Sequence, residues 1–71
     1  MITRIHDEPA PQGHRLTMWR YWNPISRQHC YAVELLDNGR VMRSFYEGTE
    51  RNTAYTSLGL ARSSLQSAPA A

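Results

Sequence analysis

The stretch His29-Cys30-Tyr31-Ala32-Val33-Glu34-Leu35-Leu36-Asp37-Asn38-Gly39-Arg40-Val41-Met42-Arg43-Ser44-Phe45-Tyr46 decides the fold. Two β-like runs with interspersed apolar residues flank Asn38-Gly39. That dipeptide suits a two-residue type I′ turn, because both central residues there need φ > 0. With Asn38 and Gly39 as the loop, Leu36 faces Val41, Glu34 faces Arg43 and Ala32 faces Phe45. Val33 then faces Ser44, and Tyr31 faces Tyr46. This register makes a favourable Glu34–Arg43 cross-strand pair. A three-residue loop sets Val33 against Arg43 and loses it. One face of the hairpin is then expected to carry Tyr31, Val33, Leu35, Met42 and Tyr46, and the other Ala32, Leu36, Val41 and Phe45.

Upstream, Arg15-Leu16-Thr17-Met18-Trp19-Arg20-Tyr21-Trp22 reads as a further strand, ended by the turn initiator Asn23-Pro24. A one-residue slip exchanges Trp19 and Tyr21 with Met18 and Trp22 between faces, so its facing is open. Downstream the period changes. Ala54, Leu58, Ala61 and Leu65 fall at i, i+4, i+7 and i+11, one stripe of a helix, with Asn52 or Thr53 as the expected N-cap. Gly59 within it costs ~1 kcal/mol against Ala, so the helix must rely on packing against the sheet.

The expected fold is α+β: a three-stranded antiparallel sheet in the order β-β-β, packed on one C-terminal helix, over residues 15–65. Residues 1–14, with Pro9, Pro11 and Gly13, read as a flexible arm with room for a short N-terminal strand. Residues 66–71, Gln66-Ser67-Ala68-Pro69-Ala70-Ala71, read as a disordered tail.

A chain of 71 residues is one small domain, and only 12 of them are Leu, Ile, Val or Phe, so Tyr, Trp and Met must complete the core. The formal charge of +2 is too small to keep such a chain unfolded. No run approaches the ~20 apolar residues of a membrane helix. A single cysteine, Cys30, excludes an internal disulfide, and no Cys/His spacing fits zinc. A reducing compartment, the cytoplasm, is therefore expected. No cofactor, metal or small-molecule substrate is indicated.

Catalysis finds no support in the pattern. His29 and Cys30 are neighbours on a strand and point to opposite faces, so they form no dyad. His6 and His14 lack a third ligand on the arm, and Ser63, Ser64 and Ser67 lack an elbow motif. A non-enzymatic binding protein is expected, of an accessory or regulatory kind. All eight basic residues are Arg, whose planar fork grips anions. Arg15, Arg20, Arg27, Arg40 and Arg43 interleave with Trp19 and Tyr21, a pattern able to hold phosphates and stack bases of DNA or RNA. Glu34, Asp37, Glu47 and Glu50 lie close by and oppose that charge. The competing expectation is a protein-interaction surface at Leu36, Val41 and Phe45, serving a homodimer or a larger complex.

At Tyr21-Trp22-Asn23-Pro24, Arg27, Tyr31, Glu34-Leu35 and Val41-Met42-Arg43-Ser44-Phe45 the chain resembles small bacterial WGR-type domains over about thirty residues. The resemblance implies an aromatic antiparallel sheet and an association with DNA repair and nucleic acids. Phe45-Tyr46-Glu47-Gly48-Thr49 stands where the name-giving Trp-Gly-Arg would be, so that motif is missing. At the level of fold alone, the expected order is also similar to sheet-type DNA-binding domains of plant AP2 factors and integrase arms.

Overall fold

Asn38 (φ 54°) and Gly39 (φ 83°) form the expected two-residue turn in a computed structural model that describes residues 1–66. On either side run β3 (Gln28–Asp37) and β4 (Arg40–Gly48), preceded by β1 (Ile2–Pro9) and β2 (Arg15–Asn23) and followed by α1 (Arg51–Gln66). The sheet is antiparallel in the order β1-β2-β3-β4, and α1 packs on one face. The fold is thus α+β, but with four strands, not three. The extra strand comes from the segment expected as an arm. Gln66 closes the helix, and the expected tail at 67–71 lies outside the described residues.

The first strand escapes a period-two reading because none of its side chains is fully buried: it joins the sheet through the backbone ladder to β2, to which the Asp7–Arg15 ion pair adds. Arg4 Nη1 lies 3.1 Å and Arg15 Nε 2.8 Å from the Asp7 carboxylate. Pro9 sits at the end of this edge strand, where its missing N–H costs no ladder bond. The β1–β2 loop is tight: the Ala10 N–H donates to the His14 carbonyl at 2.8 Å, with Gln12 and Gly13 at positive φ. At the β2–β3 loop the Asn23 side chain accepts from the Ile25 and Ser26 N–H groups, and the Arg27 N–H donates to the Asn23 carbonyl at 2.8 Å.

Register in the β3–β4 hairpin departs from the simple turn. Leu36 faces Val41 as expected, but β4 bulges twice. Leu35 then faces Arg43, Glu34 faces Ser44, Val33 faces Tyr46, Ala32 faces Glu47 and Tyr31 faces Gly48. The expected pairs Glu34–Arg43, Ala32–Phe45, Val33–Ser44 and Tyr31–Tyr46 do not form. Each bulge inserts one residue, so two of them restore parity, and Tyr46 still packs beneath the helix. Phe45 joins it there instead of lying on the opposite face, and Met42, expected under the helix, is exposed.

The core joins Leu16 and Met18 of β2, Tyr31 and Val33 of β3, and Ala54, Leu58 and Ala61 of α1, with Leu65 partly buried beside them. The small residues of the helical stripe let the helix lie close to the strands. The helix starts earlier than expected: the Glu50 carbonyl accepts from the Ala54 N–H at 3.0 Å, which puts Glu50 at the cap position in place of Asn52 or Thr53. The Glu50 N–H in turn donates to the Tyr46 hydroxyl at 3.1 Å. That hydroxyl lies over Gly48, where an added Cβ would approach it to 2.5 Å and push it aside. Arg62 locks the helix to the first strand, its guanidinium straddling the Glu8 carboxylate at 2.6–3.0 Å.

Candidate interaction face

With Met18 fully buried toward the helix, alternation sends Thr17, Trp19 and Tyr21 to the other side of β2. Cross-strand neighbours put Ile2, Arg4 and Asp7 of β1, Ala32 and Glu34 of β3, and Ser44 and Glu47 of β4 on that same side. No element of the described residues lies over it. At its centre is a shallow open concavity of about 430 Å³, lined by Ile2, Trp19, Tyr21, Ala32, Glu34 and Glu47. Ala32, only 6% exposed, has too short a side chain to fill the space between its larger neighbours.

The two aromatic walls are held in place. The Trp19 Nε1–H donates to Thr17 Oγ1 at 3.0 Å, and the Thr17 hydroxyl donates to the Glu34 carbonyl at 3.2 Å. Thr17 is completely buried, so this chain satisfies a polar group that would otherwise be costly. The Tyr21 hydroxyl donates to Glu47 Oε2 at 3.1 Å. Burial, and then the Glu47 carboxylate, push that hydroxyl up to about 12, so it stays a protonated donor at neutral pH.

Charge on this face divides into two zones. On the β1 side Asp7 is matched: hydrogen bonding from Arg15, with added attraction from Arg15 and Arg4, keeps its carboxyl below the usual range. Arg4 also lies 5.5 Å from the centre of the Trp19 ring. On the β3–β4 side, neither Glu34 nor Glu47 has an ion-pair partner among the described residues. Burial, and then the neighbouring Glu47, push the Glu34 carboxyl above its usual value.

The residues expected to hold phosphate do not converge. Arg15, Trp19 and Tyr21 share the open face, with Arg15 committed to Asp7. Arg20 and Arg43 fall on the helix side of their strands, opposite Tyr31 and Leu35. Arg43 stacks over Phe45 at 4.7 Å. Arg27 and Arg40 stand at the two opposite ends of β3, in the β2–β3 loop and after the Asn38-Gly39 turn. The expected interface triad also splits: Leu36 and the exposed Val41 lie across from each other on the open side, while Phe45 packs on the core. Among the described residues no group of three His, Cys, Asp or Glu side chains is placed to hold a metal ion, and no helix is long and apolar enough to cross a membrane.

Glu34, Glu47, Ala32, Ile2 and Arg4 complete the face and were not singled out by the sequence as site residues. One signal for Glu34 was present, a carboxylate inside the apolar run Tyr31-Ala32-Val33-Glu34-Leu35-Leu36. No protein-family model matches the chain, and comparisons with curated proteins and with solved structures give no match. The WGR-type resemblance therefore rests on the residues quoted for it alone.

Proposed function

We propose that this chain is a non-catalytic accessory or regulatory module that binds another protein through the uncovered face of its sheet. The observation that carries this reading is the pair Trp19 and Tyr21, ordered by hydrogen bonds at an open concavity. Aromatic anchors fixed before binding lose little further entropy on association, and Trp and Tyr are enriched among the residues that dominate interface energies. Nucleic acid fits this face less well. Phosphates would meet Asp7, Glu34 and Glu47 there, while the arginines needed to offset them are dispersed or already engaged. The buried free thiol of Cys30 suits a reducing compartment, and the cytoplasm is part of the proposal.

Site-specific photo-crosslinking in cells tests the reading. A photoreactive residue replaces either Ser44 on the open face or Ser63 on the exposed part of the helix. Protein adducts should form from position 44 and not from position 63. Adducts to nucleic acid, or equal protein adducts from both positions, would overturn it.

A further inference from the structure

We infer that the open face docks a segment of a partner protein carrying an arginine or lysine, whose cationic head enters the concavity beside Trp19 and Tyr21 and is met by Glu34 and Glu47. This rests on reading the face as a protein-binding surface and specifies the chemistry of its occupant.

Charge complementarity carries the argument. The register written by the Asn38-Gly39 turn would have given Glu34 its own cation, Arg43. The bulge in β4 puts neutral Ser44 opposite Glu34 and sends Arg43 to the helix side, onto the Phe45 ring. Among the described residues Glu34 is left half-buried without an ion-pair partner, next to an apolar floor, and Glu47 adds a second negative charge to the same concavity. A neutral apolar partner would take two carboxylates out of water with nothing in return, and an anionic one would be repelled. A cation reverses both terms. Its charge would also offset the burial and the Glu47 repulsion that push the Glu34 carboxyl up.

The aromatic walls suit the same occupant. Arg4 already lies against Trp19, so that ring accepts a guanidinium within the molecule itself. Arg4 is held by Asp7 on the β1 side, whereas among the described residues the Glu34 and Glu47 side has no such cation. The concavity, about 430 Å³, is within the ~300–1,000 Å³ typical of ligand sites. Its shallow form admits a long side chain projecting from an extended segment.

The test is an NMR titration of the isotopically labelled full chain with acetyl-Ala-Ala-Arg-Ala-Ala-amide. A citrulline peptide serves as the uncharged analogue, and a glutamate peptide as the anionic one. The arginine peptide should shift the Trp19 indole N–H and the Ala32 and Glu47 amides, leaving the Trp22 indole in place. Binding should weaken at least tenfold with citrulline and vanish with glutamate. The double variant Glu34→Gln, Glu47→Gln should lose the same tenfold in its affinity for the arginine peptide. Equal binding of arginine and citrulline peptides, shifts elsewhere on the surface, or no shift at all would overturn the inference. Because the citrulline comparison uses the natural chain, it decides the question even if the double variant fails to fold. Protein crosslinks at position 44 without an arginine preference would remove the cationic occupant and leave the binding face standing. Arginine binding without protein crosslinks would leave a cation-binding concavity and overturn the protein partner.

Discussion

The two faces of this sheet treat a carboxylate in opposite ways. On the side of the helix, Glu8 receives a two-pronged guanidinium from Arg62 and a contact at 2.6 Å from His6 Nε2. Hydrogen bonding from Arg62, helped by His6, drives its carboxyl down to about 2 against the cost of burial. On the uncovered side, burial and then the neighbouring Glu47 push the Glu34 carboxyl the other way. The covered side pairs its Glu8 carboxylate within the molecule, and the uncovered side leaves Glu34 and Glu47 without an ion-pair partner among the described residues. In a folded chain the second arrangement is a cost, and a partner is the simplest way to offset it.

Several substitutions would break or sharpen that contrast. The largest effect belongs to the covered face. Leu58→Ala removes a nearly fully buried side chain and should cost about 2–5 kcal/mol. A domain of this size holds ~3–5 kcal/mol in all, so the variant should be largely unfolded by circular dichroism at 25 °C. Next comes the register. Phe45→Ala should lose roughly 1–3 kcal/mol in urea titration, because its ring packs on the core. Val41→Ala, at a residue 55% exposed, should change stability by less than about 0.5 kcal/mol. Equal losses at the two positions would mean that the bulged register is wrong.

The Glu8–Arg62 lock comes third. Its folded pKa lies below the ordinary 4.5, so its stabilisation is fully present above about that pH and is lost as pH falls toward 2. Glu8→Gln should cost about 1–2 kcal/mol at pH 7, the figure being discounted because the Arg62 side chain is 41% exposed. The variant's loss of stability between pH 4.5 and 2 should be correspondingly shallower, as read by urea midpoints across that range. The fourth effect has the opposite sign. A Cβ at Gly59 meets nothing within 4 Å, so Gly59→Ala should raise stability by about 0.8–1 kcal/mol through helix propensity alone. A loss there would show that the helix makes an approach on that side which the structure does not contain.

What the sequence disclosed follows from how local each signal is. Asn38-Gly39 writes its turn in two residues, and Ala54, Leu58, Ala61 and Leu65 write their helix in one stripe, so both were legible. The first strand was not, because its exposed side chains carry no apolar alternation and its tie to the helix, Glu8 to Arg62, joins residues 54 apart. Nor did the sequence mark the two bulges of β4. They answer to packing, since they allow Phe45 and Tyr46 both to reach the helix side. That displacement moved Arg43 away from Glu34, so an error of one residue in register concealed the unmatched carboxylate. The facing of β2 was a similar matter, settled by the burial of Met18 and not by composition.

Carboxyl carbon NMR titration of the free protein from pH 2 to 8 tests the central contrast most directly. Glu8 should titrate near 2 and Glu34 above its ordinary 4.5, as Arg62 and the uncovered face respectively require. Two carboxyls titrating together near the ordinary value would contradict the account, because the faces would then hold their charges alike.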